Sequence, residues 1–233
     1  MKRLPRSLLP VFLTSLLLAG CLGSAPPVPR DHFYRLVVSG PAEPAGRVLL
    51  PGVLSIEPLQ AEGLLHERPL LYSESGKPHE VQQHDYHYWA DAPPRMLQDQ
   101  MVAYLRRGGI ARSVVTPEMR VRADYRVLGK AKRLERLLGG GPPRVFVELE
   151  LVLVRLSDGG VVVAETYSEE DPAADGSVKA SVMALNRATG RIFDRFIAGA
   201  VRTATAPSSK AQRVDRRDED GRAYSLRLPR AAD

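Results

Sequence analysis

The period of the apolar positions changes several times along the chain, and each change marks an element. The clearest signal lies in residues 144–156. There Val145, Val147, Leu149, Leu151 and Leu153 alternate with Phe146, Glu148, Glu150, Val152 and Val154. A period of two puts the first set on one face of a strand. Ser157, Asp158, Gly159 and Gly160 then form a hairpin turn, and residues 161–167 return as an antiparallel partner. Upstream, Tyr125, Val127, Gly129 and Ala131 alternate with Arg126, Leu128, Lys130 and Lys132. This reads as a strand over 123–134 with one basic face, and an amphipathic helix over 130–138 competes with it. The run Gly139-Gly140-Gly141-Pro142-Pro143 ends either one.

Two segments switch to helical spacing. Leu97, Met101, Tyr104 and Leu105 recur on one helix face, with Met96 beside them. Asp91 or Ala92 caps this helix, the prolines at 93 and 94 are tolerated in its first turn, and Gly108-Gly109 ends it. The second helix opens at Asp175-Gly176-Ser177 and runs to about residue 200. Val178, Val182, Leu185, Ile192, Phe193 and Phe196 make its apolar face, with Thr189 in the same row. Aromatic and β-branched runs at 33–38, 48–50, 53–57, 69–73, 81–89 and 114–116 read as further strands. Pro51-Gly52 interrupts one of them and calls for a bulge or an edge position. The sum is an α+β domain: a largely antiparallel twisted sheet with two amphipathic helices packed on it. Burying about 400 Å² of apolar helix surface contributes on the order of 10 kcal/mol per helix before entropy is subtracted.

The amino terminus has another pattern. Lys2, Arg3 and Arg6 precede an apolar run over 8–18, and the small residues Ala19 and Gly20 follow. This is the layout of a signal peptide over 1–20, and the run is too short for the roughly 20 residues of a spanning helix. Cys21 is the only cysteine. Leu18-Ala19-Gly20-Cys21 resembles the bacterial lipobox, which implies cleavage between Gly20 and Cys21, a diacylglyceryl thioether on Cys21 and a further acyl chain, such as palmitate, on the new amino terminus. Two or more acyl chains anchor stably where one does not. Residues 21–32 are then the acylated cysteine and a Pro-rich, extended spacer. Leu22 in place of an aspartate leans toward the periplasmic face of the outer membrane rather than the inner membrane. Residues 33–204 form one domain, and residues 205–233, with Arg216-Arg217-Asp218-Glu219-Asp220, a charged and disordered tail.

Composition adds little. Apolar content of 44% and charged content of 26% are those of a globular chain. The net charge of +6 includes the three basic residues of the signal. An exported protein meets no genome, so the excess fits anionic head groups or an acidic partner, or plain solvated charge, rather than nucleic acid.

The search for chemistry is sparse. His79, His84, Asp85 and His87 lie near Tyr86, Tyr88 and Trp89. A metal site is the sharp reading, but an odd separation sends His84 and His87 to opposite faces of a strand, and a solvated or packed aromatic strand is favoured. The triple glycine lacks the lysine and hydroxyl of a phosphate-cradling loop. Glu148 and Glu150 share a face without a pocket to shift them. No nucleophile or zinc motif is present, so no enzyme activity and no cofactor are expected.

Several features occur together. "HFYRLVV" follows the lipobox and spacer; then come "VLLPGVLSIEPLQAEGLLHERPLLY" and "HDYHYWADAPPRMLQDQMVAYLRRGG". This resembles the ABC-type transport auxiliary lipoproteins, the PqiC-like family, over about 33–200. The resemblance implies a fold similar to the amino-terminal domain of TolB, with no catalytic signature. It also implies partners: an MCE-domain protein with an ABC permease and ATPase of the Mla or Pqi type, moving phospholipids or other hydrophobic molecules. Contact through an exposed sheet edge or through Tyr86, Tyr88 and Trp89, and homo-oligomer formation, are further expectations. The competing expectations are a structural or assembly lipoprotein of the outer membrane, and a lipid-anchored hydrolase using His84 or His87.

Overall fold

The computed structural model describes residues 29–41, 48–77 and 79–205. The expected signal peptide, Cys21, most of the spacer and the tail lie outside the described residues. The hub of the sheet is β7 (Tyr125–Leu138). Along one side it pairs antiparallel with β8 (Arg144–Arg155), which pairs antiparallel with β9 (Val161–Pro172). Along its other side it meets β2 (Leu50–Ile56), β3 (Gln60–Ala61) and β4 (Pro69–Glu74) in turn, all parallel. Outside β2 lies β6 (Ala111–Val115), parallel to it. Outside β4 lies β5 (Gln82–Trp89), antiparallel, and then β1 (His32–Tyr34), parallel to β5.

The sheet is therefore mixed, not largely antiparallel, and the expected likeness to the TolB domain is not confirmed. The physical reason is separation along the chain. The β7–β8–β9 meander is joined by tight turns, which fix direction locally. The parallel pairs join segments tens of residues apart, and alternation states which face a residue takes, not which strand lies beside it. The α+β class itself holds, with two helices: α1 (Pro93–Gly108) and α2 (Val178–Thr205).

Three local expectations were decided by packing. Residues 130–138 are strand, not helix. A register shift between Ala131 and Arg133 changes which parity faces the core, so Val127 and Ala131 are buried and then Leu134. That step of three produced the helix-like spacing. Pro51-Gly52 does sit at a bulge, between Leu50 and Val53. Asp124 explains the glycine: its Oδ2 accepts the Val53 N–H at 2.8 Å, in the space a Cβ on residue 52 would take. The run at 33–38 leaves the sheet after Tyr34. Leu36 and Val38 are buried, and the backbone is held by side chains of both helices. The Val37 N–H donates to Asn186 Oδ1 (3.1 Å) and the Val38 N–H to Gln100 Oε1 (2.9 Å). Arg107 donates to the Val38 carbonyl (2.9 Å). Residues 35–40 are thus a strap across the helices.

Core and edges follow from amphipathicity. Val145, Val147, Leu149, Leu151 and Leu153 are all buried under the helices. Tyr104 of α1 meets Phe193 of α2 edge-on at 5.4 Å, and its hydroxyl donates to Asp194 (2.6 Å). Gly109, in the left-handed conformation (φ 63°), stops α1. Ser177 caps α2, its Oγ accepting the Ala180 N–H at 3.0 Å. Carbonyls at the edge strand β9 are taken by α2: Arg187, Arg191 and Arg195 donate to those of Pro172, Glu170 and Ser168. A strand edge so occupied is a poor template for pairing with another chain.

Candidate interaction surface

The segment that carried the candidate residues is irregular for a strand. Pro69 of β4 faces Tyr88 of β5, but Leu71 faces Gln83. Two steps on β4 are matched by five on β5, so residues 84–87 bulge out of the ladder. Tyr86 stands in this bulge with φ 59°, a left-handed conformation that a bulky side chain rarely adopts. Asp85 and Tyr86 are exposed there.

The bulge also reverses the parity argument for the histidines. His84 and His87 share one side, their rings edge-on at 5.8 Å. His87 stacks on His32 (5.1 Å), and its Nδ1 lies 3.0 Å from the Tyr34 hydroxyl. His84 rests on Tyr72 (4.5 Å). Beneath them is Arg136, buried, from β7. Its guanidinium donates to Ser181 Oγ (2.9 Å), to the Gly176 carbonyl (2.8 Å) and to His84 Nε2 (2.8 Å). Arg136 is the donor, so His84 presents an unprotonated Nε2. Burial first, and the Arg136 charge second, push His84 down to about 4. Burial, then His32 and Arg136, also lower His87. This cluster pins the bulge to α2 through Arg136. Among the described residues no group of three or more His, Cys, Asp or Glu side chains is placed to hold a metal ion.

The three aromatics proposed for contact separate. Tyr86 is exposed, Tyr88 is half-buried beneath Phe33 (ring centroids 5.7 Å), and Trp89 is buried in the core. His79 does not join the cluster. Glu148 pairs with Lys132 (2.9 Å) across the strands, and Glu150 is exposed. The three glycines at 139–141 all take positive φ in the β7–β8 connection. Sequence reasoning missed Arg136, because the shift after Ala131 carries an arginine to the core face. It also did not single out Phe33, which lies on β1 at one edge of the sheet and is exposed.

A family model for the ABC-type transport auxiliary lipoprotein component matches residues 34–196. The chain belongs to this family. No curated protein matches it in sequence. Among solved structures it is similar to a DUF330-family protein from Xanthomonas campestris, at 20% identity and a TM-score of 0.65. The match covers 74% of this chain and 96% of that one. A second, described as an uncharacterized protein, matches at 14% identity and a TM-score of 0.56, over 75% of this chain and 98% of its own. These likenesses show a shared fold. Among the described residues, no helix of this auxiliary lipoprotein is long and apolar enough to cross a membrane.

Proposed function

We propose that this auxiliary lipoprotein is an accessory subunit of an MCE-type ABC transport system for phospholipids or other hydrophobic molecules. It is anchored through acylated Cys21 at the periplasmic face of the outer membrane and acts by docking, not by catalysis. The observation that supports a docking role is Tyr86: an exposed aromatic in a strained backbone conformation, beside a cluster fastened to α2 by the buried Arg136. Backbone strain of this kind persists where surrounding structure enforces it, and it recurs at functional positions. A rigid tyrosine makes contact area at low entropic cost, as interface anchors do. Energy comes from the separate ATPase, and assembly into a ring would match the symmetry of an MCE partner.

The test is affinity of the acylated full-length chain for an MCE-domain protein of the same envelope. Tyr86→Ala should weaken it about tenfold, the effect of losing one anchor worth about 1.4 kcal/mol. Unchanged binding removes Tyr86 from the contact. No binding by the parent chain, even after crosslinking, defeats the transport reading and leaves the structural or assembly lipoprotein.

A further inference from the structure

The strap that leaves the sheet after Tyr34 has two sides. Leu36 and Val38 point into the helix layer; Phe33, Arg35 and Val37, two residues apart, stay exposed. Phe33 and Val37 keep 58% and 60% of their surface in water and, with Val161, are the most exposed large apolar side chains among the described residues. Phe33 is braced, not loose: Tyr88 stacks against it and the Arg68 guanidinium lies 5.3 Å from its ring centroid. Arg30 is exposed just before the strand. Neither Arg30 nor Arg35 has a carboxylate partner among the described residues. The acids here are Asp31 and Glu67 beside Phe33 and Asp194 beside Val37, where Arg187 and Arg191 also lie; Glu67 accepts a hydrogen bond from Gln83 (2.7 Å) and Asp194 one from Tyr104. Arginines therefore outnumber acids around an exposed apolar row.

The position of this row says what covers it. It begins twelve residues after Cys21, a span of at most about 40 Å when extended. Exposed aromatic and aliphatic side chains interleaved with arginine match a bilayer interface, where rings sit at head-group level and guanidinium groups meet lipid phosphates. We infer that the Phe33–Arg35–Val37 row is the face this domain lays against the anionic bilayer to which its own tether is attached. The inference rests on the lipid anchor proposed above and adds an orientation to it. In the β1–β5–β4–β7–β8–β9 order Val161 is on the opposite edge strand from Phe33, five strand spacings and several residues of β7 away along the sheet. The end of the sheet bearing Val161 is then held away from the membrane.

Trp89 is the only tryptophan and is buried, so a second one can report position. The acylated full-length chain is made as parent, Phe33→Trp and Val161→Trp. Each is incorporated into phosphatidylethanolamine–phosphatidylglycerol vesicles with brominated acyl chains. Val161 is as exposed as Phe33 (61%) and serves as the distal control. The expected result is quenching of the introduced tryptophan at 33, with the one at 161 emitting as in unbrominated vesicles. Equal quenching at both sites, or none at 33, overturns the inference. A blue shift at 33 without bromine quenching also overturns it, because a second copy or another protein would then cover the row. Flotation of the vesicles separates the two readings. Protein that floats without quenching defeats this orientation alone, whereas protein that fails to float defeats the anchor and the orientation with it.

Discussion

His84 gives the sharpest physical prediction. In the folded chain its Nε2 accepts from buried Arg136, and its proton affinity falls from 6.5 to about 4. In the unfolded chain it titrates normally. Above about pH 6.5 both states hold a neutral imidazole and the group does not bias folding. As pH falls below that value the unfolded state takes up a proton that the folded state refuses. Stability is therefore lost progressively as pH falls toward 4, and the loss levels off below it. From about pH 7.5 to about pH 5, a shift of this size corresponds to about 2 kcal/mol. The ring is only partly enclosed, and solvent screening brings the expected loss to about 1 kcal/mol. The perturbation is His84→Gln, whose side-chain oxygen can still accept from Arg136 but cannot titrate. Urea unfolding is followed by the emission of Trp89, the only tryptophan and a core residue. Groups away from the cluster contribute alike to both proteins, and the His87 charge is itself a smaller cause that lowers His84, so the difference in their pH slopes reports the titration of His84 within this cluster. The parent should lose about 1 kcal/mol more than His84→Gln over this interval. Parallel slopes would refute the burial-and-Arg136 account of His84.

Two further outcomes test other parts of the fold. Gly52→Ala should lower stability by about 1–3 kcal/mol in the same urea assay, because its Cβ collides with the Asp124 carboxylate that holds the Val53 N–H; an unchanged midpoint would show that the bulge relaxes freely. Arg136→Lys should cost about 2 kcal/mol or more, because a single ammonium cannot reach Ser181, Gly176 and His84 from one planar fork. A wild-type midpoint for that variant would show that the fork geometry is dispensable.

What the sequence decided by itself were the elements whose code is local. The alternation in β8, the Ser157–Gly160 turn and the return of β9 needed only period and turn chemistry. The stripe of α1, its start at the paired prolines and its stop at Gly109 were equally legible. So were the bulge at Pro51-Gly52 and the family, carried by short blocks of ordinary residues. Tertiary structure alone decided direction and parity. The parallel partners of β7 are distant in sequence, and no local pattern encodes them. The shift after Ala131 buries Arg136, and the bulge at 84–87 brings His84 and His87 to one side against the parity of their spacing. The strap at 35–40 carries a strand's alternation without a strand's partner, because helix side chains satisfy its backbone. A sequence states which side chains prefer to be dry; only the packed molecule determines where each dry face is found, and that is why Trp89, expected at a contact surface, lies in the core while Phe33 is left exposed.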